Sequence, residues 1–200
     1  MTREFSISVG KIAKPLPVKL VIGLIYRQAS LKNRALGYLK EHFGEIDFLS
    51  RPLNFDYTRY YYPEFGSPLK RIFMSFRRLF PQDRLSAIKR ATNKLEERFS
   101  LKGKRRINID PGFLSSGKLV LATTKDNCHR VYLGKGIFSE VTLFYQAGTY
   151  RPWPWTYPDY QSKEYIDIFN TIRAIFLSSG VHDEAPVSKV APGRKAAGES

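Results

Sequence analysis

Three side chains in this sequence are of the kinds that move protons or hold cations together: Asp110, His129 and Glu140. An imidazole between carboxylates can take up and return a proton near neutral pH, and the same donor types can hold a divalent cation. Asn108 and Asp110 share one face of a strand by the two-residue period. His129 opens a hairpin and Glu140 lies on its return strand, so Asp110, Lys125, His129, Arg130 and Glu140 are expected to converge on one sheet face. The competing reading is a set of mutually satisfied strand-end polar groups. No short ligand spacing such as H-E-x-x-H is present, so metal and cofactor stay unknown.

Anion contacts are expected at Lys118, Lys125 and Arg130, with Trp155 and Tyr157 as a wall beside Asp159. The segment Trp153-Pro154-Trp155-Thr156-Tyr157-Pro158-Asp159-Tyr160 is stiffened by its prolines, which makes it a stacking wall for a base or sugar, or else an anchor for a loop. The string from Gly112 to Lys118 has the G-x-x-x-x-G-K spacing of a phosphate-binding loop. Such a loop needs Ser or Thr after the lysine and then a helix, whereas Leu119 and a strand-like run follow here. Pro111-Gly112 therefore reads as an ordinary turn between strands.

The formal net charge is +15. Between Lys70 and Arg106 stand thirteen basic and three acidic residues, so most of the excess lies in one stretch. That concentration attracts polyanions. Two functions follow. The first is a site for an anionic small molecule, nucleotide-like or phosphate-bearing. The second is a non-enzymatic RNA-binding or assembly module using Lys89, Arg90, Lys94, Lys102, Lys104, Arg105 and Arg106.

These residues must be held by a frame, and the frame reads as α+β. Val18 to Tyr26 is a mostly buried strand, and a helix follows from about Ser30 to Phe43. Ile46 to Leu49 and Arg71 to Phe76 are strands. Leu85, Ile88, Thr92, Leu95 and Phe99 mark a helix with Lys89, Arg90, Lys94, Glu97 and Arg98 mainly on its outer surface. Ile107 to Asp110, Leu119 to Thr124, Arg130 to Leu133 and Ile137 to Tyr145 are strands, with a hairpin turn at Gly134-Lys135-Gly136. A last helix, capped by Ser162, carries Tyr165, Ile168, Phe169, Ile172, Ile175 and Phe176. The order predicts a ferredoxin-like (split βαβ) core, an extended mixed or antiparallel sheet and a closing C-terminal helix. Residues 1–14 are expected to be loose, 15–180 to form one domain and 181–200 to be a disordered tail. Cys128 stands alone, so no internal disulfide forms. There is no apolar run of about 20 residues and no secretory core, so a cytoplasmic protein without membrane contact is expected. Oligomeric state is not legible.

Several strings resemble the prokaryotic domain-of-unknown-function family 4416. They are Asn108-Ile109-Asp110-Pro111-Gly112, Lys118 to Asp126, His129-Arg130-Val131-Tyr132-Leu133, Ser139-Glu140-Val141-Thr142-Leu143 and Pro154 to Tyr160, with Phe55-Asp56-Tyr57-Thr58 upstream. The resemblance covers roughly residues 18 to 177 and departs from the family pattern at Tyr62 and Phe65. It implies boundaries for the folded part but no established activity. Members are sometimes labelled GTP-binding.

Overall fold

Every residue of β1 (Val18–Tyr26) is buried, because both faces of the strand are covered. Leu20, Ile22, Leu24 and Tyr26 pack with Leu31, Ala35 and Leu39 of α1 (Ala29–Phe43) and with Ile88, Leu95 and Phe99 of α3 (Leu85–Phe99). Val21, on the opposite face, packs with Tyr165, Phe169, Ile172 and Phe176 of α4 (Lys163–Ser178). Alternate residues thus serve two cores, each fully buried side chain contributing roughly 1.5–3 kcal/mol. The chain was described as a computed structural model, which places residues 12–180; residues 12–17 carry no regular structure. The expected loose segment falls largely, and the expected tail wholly, outside the described residues.

The remaining elements are β2 (Ile46–Leu49), β3 (Leu53–Phe55), the short α2 (Tyr62–Phe65), β4 (Leu69–Phe80), β5 (Ile107–Leu114), β6 (Lys118–Thr123), β7 (Val131–Gly134), β8 (Ile137–Gln146) and β9 (Thr149–Pro152). They form one sheet in the order β2-β4-β1-β5-β6-β8-β7, with β3 beside β4 and β9 beside β8. Among the described residues every strand pairing is antiparallel, which narrows the mixed or antiparallel expectation. No helix among them is long and apolar enough to cross a membrane.

Local chemistry explains the boundaries. The Ser162 hydroxyl accepts the Tyr165 N–H at 3.3 Å and caps α4. The first helix, expected from about Ser30, starts one residue earlier at Ala29, after Gln28, with no side-chain cap. The hairpin joining β7 to β8 turns through Gly134, Lys135 and Gly136, all at positive φ.

Two expectations need correction. Pro111-Gly112 is not a turn, since β5 runs straight through both residues and the turn lies at 115–117, closed by Ser115 N–H to the Lys118 carbonyl at 2.9 Å. Gly112 is required there by proximity: a Cβ would sit 2.3 Å from the Val120 carbonyl oxygen. The second correction concerns Lys89, which is 6% exposed and faces the sheet rather than solvent.

Candidate functional site

β5 and β6 are paired only at Gly112–Leu121, Phe113–Val120 and Leu114–Leu119. Beyond Gly112 the two strands part. Alternation turns Ile109, Pro111 and Phe113 with the same backbone edge toward β6. Pro111 has no N–H to offer on that edge, so the ladder stops there. The backbone of Ile109 is satisfied from α3 instead. Its N–H donates to Glu96 Oε1 at 2.7 Å and its carbonyl accepts from Lys89 Nζ at 2.9 Å. Lys89 and Glu96, two helical turns apart, are both buried against the gap.

A cavity of about 570 Å³ occupies that gap. Its floor is built around Arg71 of β4, whose side chain is 3% exposed. Arg71 forms an ion pair with Asp159, donates to the Tyr160 hydroxyl at 2.8 Å and reaches Asp110 Oδ2 at 3.4 Å. Its guanidinium carbon lies 4.8 Å from the Tyr160 ring centroid and 4.9 Å from that of Phe73. Gly23 leaves the space, since a Cβ there would lie 3.0 Å from Arg71 Nη2. Burial works against the Arg71 charge, but Tyr160, Asp159, Tyr165 and Asp110 more than offset it and hold the group cationic. Burial likewise raises Asp159 above the usual carboxylate range, against the pull of Arg71.

Asp110 and Glu140 line the same cavity. Asp110 also accepts from Asn108 at 2.6 Å and lies 3.5 Å from Lys89 Nζ. Glu140, 4% exposed, uses one carboxylate oxygen twice, for His129 Nε2 at 3.0 Å and Arg130 Nε at 2.8 Å. Its other oxygen, Oε1, is buried with no hydrogen-bond partner among the described residues. Arg130 is fixed further by the Lys125 carbonyl at 2.9 Å and the Tyr157 hydroxyl at 2.7 Å. His129 stands behind Glu140 rather than in the lining, its ring stacked 5.9 Å from that of Trp155.

The expected residues therefore divide. Asp110, Lys125, Arg130, Glu140, Tyr157 and Asp159 surround one cavity. Trp155 is not in its lining; it stacks on Trp153 at 5.2 Å and braces His129. Lys118 is exposed at the opposite end of β6, roughly 20 Å away along the strand, and the string 112–118 is strand, turn and strand. Of the seven residues expected to meet RNA, Lys89 is buried, Arg105 pairs with Glu64 at 2.7 Å and lies near Glu96, and Arg106 bonds Gln28. Arg90, Lys94, Lys102 and Lys104 are exposed.

Sequence reasoning missed Arg71, Lys89, Glu96 and Tyr160. Glu96 matters chemically: burial outweighs the pull of Lys89 and lifts its carboxyl to about 7, where it can gain or lose a proton near neutrality. A signal existed, because Lys89 and Glu96 each follow an apolar-stripe residue, Ile88 and Leu95, and so flank the buried face. Among the described residues, no group of three or more His, Cys, Asp or Glu side chains is placed to hold a metal.

No curated protein and no solved structure matches the chain. Residues 16–176 match the family model described as Domain of unknown function (DUF4416), and the chain belongs to that family.

Proposed function

We propose that the cavity between β5 and β6 binds a small phosphate-bearing, nucleotide-like molecule. The observation that carries this is Glu140, a cavity-lining residue whose buried carboxylate has one oxygen doubly held and the other, Oε1, without a partner. Leaving a buried acceptor without a partner costs roughly 1–3 kcal/mol, which a ligand N–H or O–H recovers once a turn of the carboxylate brings Oε1 to the cavity. Lys125 supplies the opposite charge. Among the described residues it has no carboxylate within ion-pair distance, only the Tyr60 hydroxyl at 3.3 Å. A ligand with an anionic group at Lys125 and a donor at Glu140 satisfies both. Tyr60 and Tyr157 present rings to its apolar part, and Glu96 gives the cavity a group able to exchange a proton with it. The volume suits such a molecule, within the roughly 300–1,000 Å³ of ligand pockets.

We also infer that β2-β4-β1-β5 with α1 and α3 is a ferredoxin-like core. The strand order, the antiparallel pairings and the packing of both helices on one face support that reading.

The test is calorimetric titration with mononucleotides, nucleosides and inorganic phosphate. Glu140→Gln keeps the shape but can turn the unfilled acceptor into a donor, and is expected to weaken nucleotide binding about tenfold or more. Unchanged affinity in that variant, or no nucleotide binding by the wild type, overturns the proposal.

A further inference from the structure

We infer that the cavity receives an unpaired nucleotide of a single-stranded nucleic acid whose phosphodiester chain runs over a basic rim at the cavity mouth. The inference rests on the nucleotide-like reading of the cavity and extends it from a small molecule to a polymer.

The rim is located by strand register. Tyr26, at the end of β1, pairs with Lys70 of β4 and Ile107 of β5, so the segments flanking these residues meet at one end of the sheet. The cavity opens there, between Tyr60, Arg105 and Lys125. Those segments carry Arg27, Lys102, Lys104 and Arg106; Arg59, next to Tyr60 in the chain, and Lys125, which follows β6 and reaches the Tyr60 hydroxyl at 3.3 Å, complete a set of six. Five of these are exposed, and Arg106 is half-buried on the neutral Gln28 oxygen. Among the described residues none of the six lies within ion-pair distance of a carboxylate. The nearby acids without such a partner are Asp56, Glu97 and Asp126, so positive charge dominates.

Two of the lysines are held outward by a tight turn. Leu101 and Lys104 exchange backbone hydrogen bonds of 2.9 and 3.0 Å, with Lys102 at φ 52 and Gly103 at φ 72 between them. A lysine in the left-handed region is uncommon. The closed turn leaves both lysines exposed, immediately before Arg105, which lines the cavity.

The tyrosines indicate an unpaired base. Tyr57, Tyr60 and Tyr157 line the cavity yet are 45%, 56% and 47% exposed, leaving ring area at the mouth. Unpaired bases stack on such rings, whereas a base inside a duplex would first have to leave its stack. The rim offers phosphate contacts with no base-specific element, so the chain is held by charge.

Fluorescence anisotropy with short single-stranded RNA, single-stranded DNA and the matching duplex, beside calorimetry with a mononucleotide, tests this. The expected result is single strands bound about tenfold or more tighter than the mononucleotide, with log affinity falling about two units or more per tenfold rise in salt. Lys102→Ala/Lys104→Ala, which touches only exposed side chains, should lose most of that gain and leave mononucleotide affinity within about twofold. Adding Arg106→Ala should lose the rest. RNA and DNA arms that differ show whether the 2′-hydroxyl is read. Single strands bound no tighter than the mononucleotide, a duplex bound equally well, or a double variant that retains the gain each overturns this inference while leaving the cavity reading standing. A mononucleotide that does not bind overturns the cavity reading, and this inference with it.

Discussion

Asp47 and Glu140 are two shielded carboxylates in one sheet, and they are finished differently. Asp47 Oδ2 takes Lys19 and Oδ1 takes Ser75 at 2.6 Å, while Lys19 also donates to the Phe76 carbonyl at 3.1 Å. Every polar atom of that cluster is used, and none of its three side chains lines the cavity of about 570 Å³. Glu140 has a comparable environment and two cationic or ring N–H donors, but both fall on one oxygen. The first arrangement has what a purely structural ion pair needs. The second has everything except a partner for Oε1, on a residue that lines the cavity of about 570 Å³. The difference between the two is one unfilled acceptor on a residue that also lines a cavity.

The comparison breaks most visibly at Lys19. Lys19→Ala strands Asp47 with a buried charge and is expected to cost about 3–5 kcal/mol in urea unfolding, without changing nucleotide affinity in the fraction that stays folded. A loss of only a few tenths would mean that the cluster is not structural. Glu96 sharpens the contrast from between the two extremes, because its proton affinity is set by burial. Its carboxyl is raised from the ordinary 4.5 to about 7. Across that window the folded chain keeps a proton that the unfolded chain has released, so stability falls as pH rises. Glu96→Gln retains an acceptor for the Ile109 N–H and removes the titration. It should match the wild type near about pH 5 and exceed it by up to about 3 kcal/mol near about pH 8, read from paired urea curves. The smallest effect is expected at Lys118. Lys118→Ala lowers net charge by one at the wrong end of β6, so nucleotide affinity should stay within about twofold; a larger drop would place the phosphate near the turn at 115–117.

Much of the frame was legible because periodicity is a local property. The burial of Val18–Tyr26, the stripe of α4 and its Ser162 cap are all visible in the one-dimensional pattern. Asp110, Lys125, His129, Arg130 and Glu140 were expected to converge on one sheet face; four of them line one cavity, and His129 is not in its lining. What failed required neighbours distant in sequence. Pro111 and Gly112 are turn formers in isolation, and only the close approach of Val120 and the absent ladder partner explain them inside a strand. Lys89 resembled a solvent-facing charge of a basic helix and Glu96 drew no reading, because a place beside the apolar stripe does not reveal that the backbone of Ile109 lacks partners from a neighbouring strand. Arg71 was hidden in an arginine- and aromatic-rich strand, and its counter-charge Asp159 lies 88 positions later.

The proline in β5 has a consequence for energetics. An opening between two strands that depended on side chains could zip shut whenever the occupant left, and reopening it would subtract from affinity. Here the missing donor is fixed in the covalent structure: the ring nitrogen of Pro111 carries no hydrogen, so β6 could take only its carbonyl on that edge. The gap then stays ajar whether or not it is filled, and an occupant entering it would displace water rather than backbone.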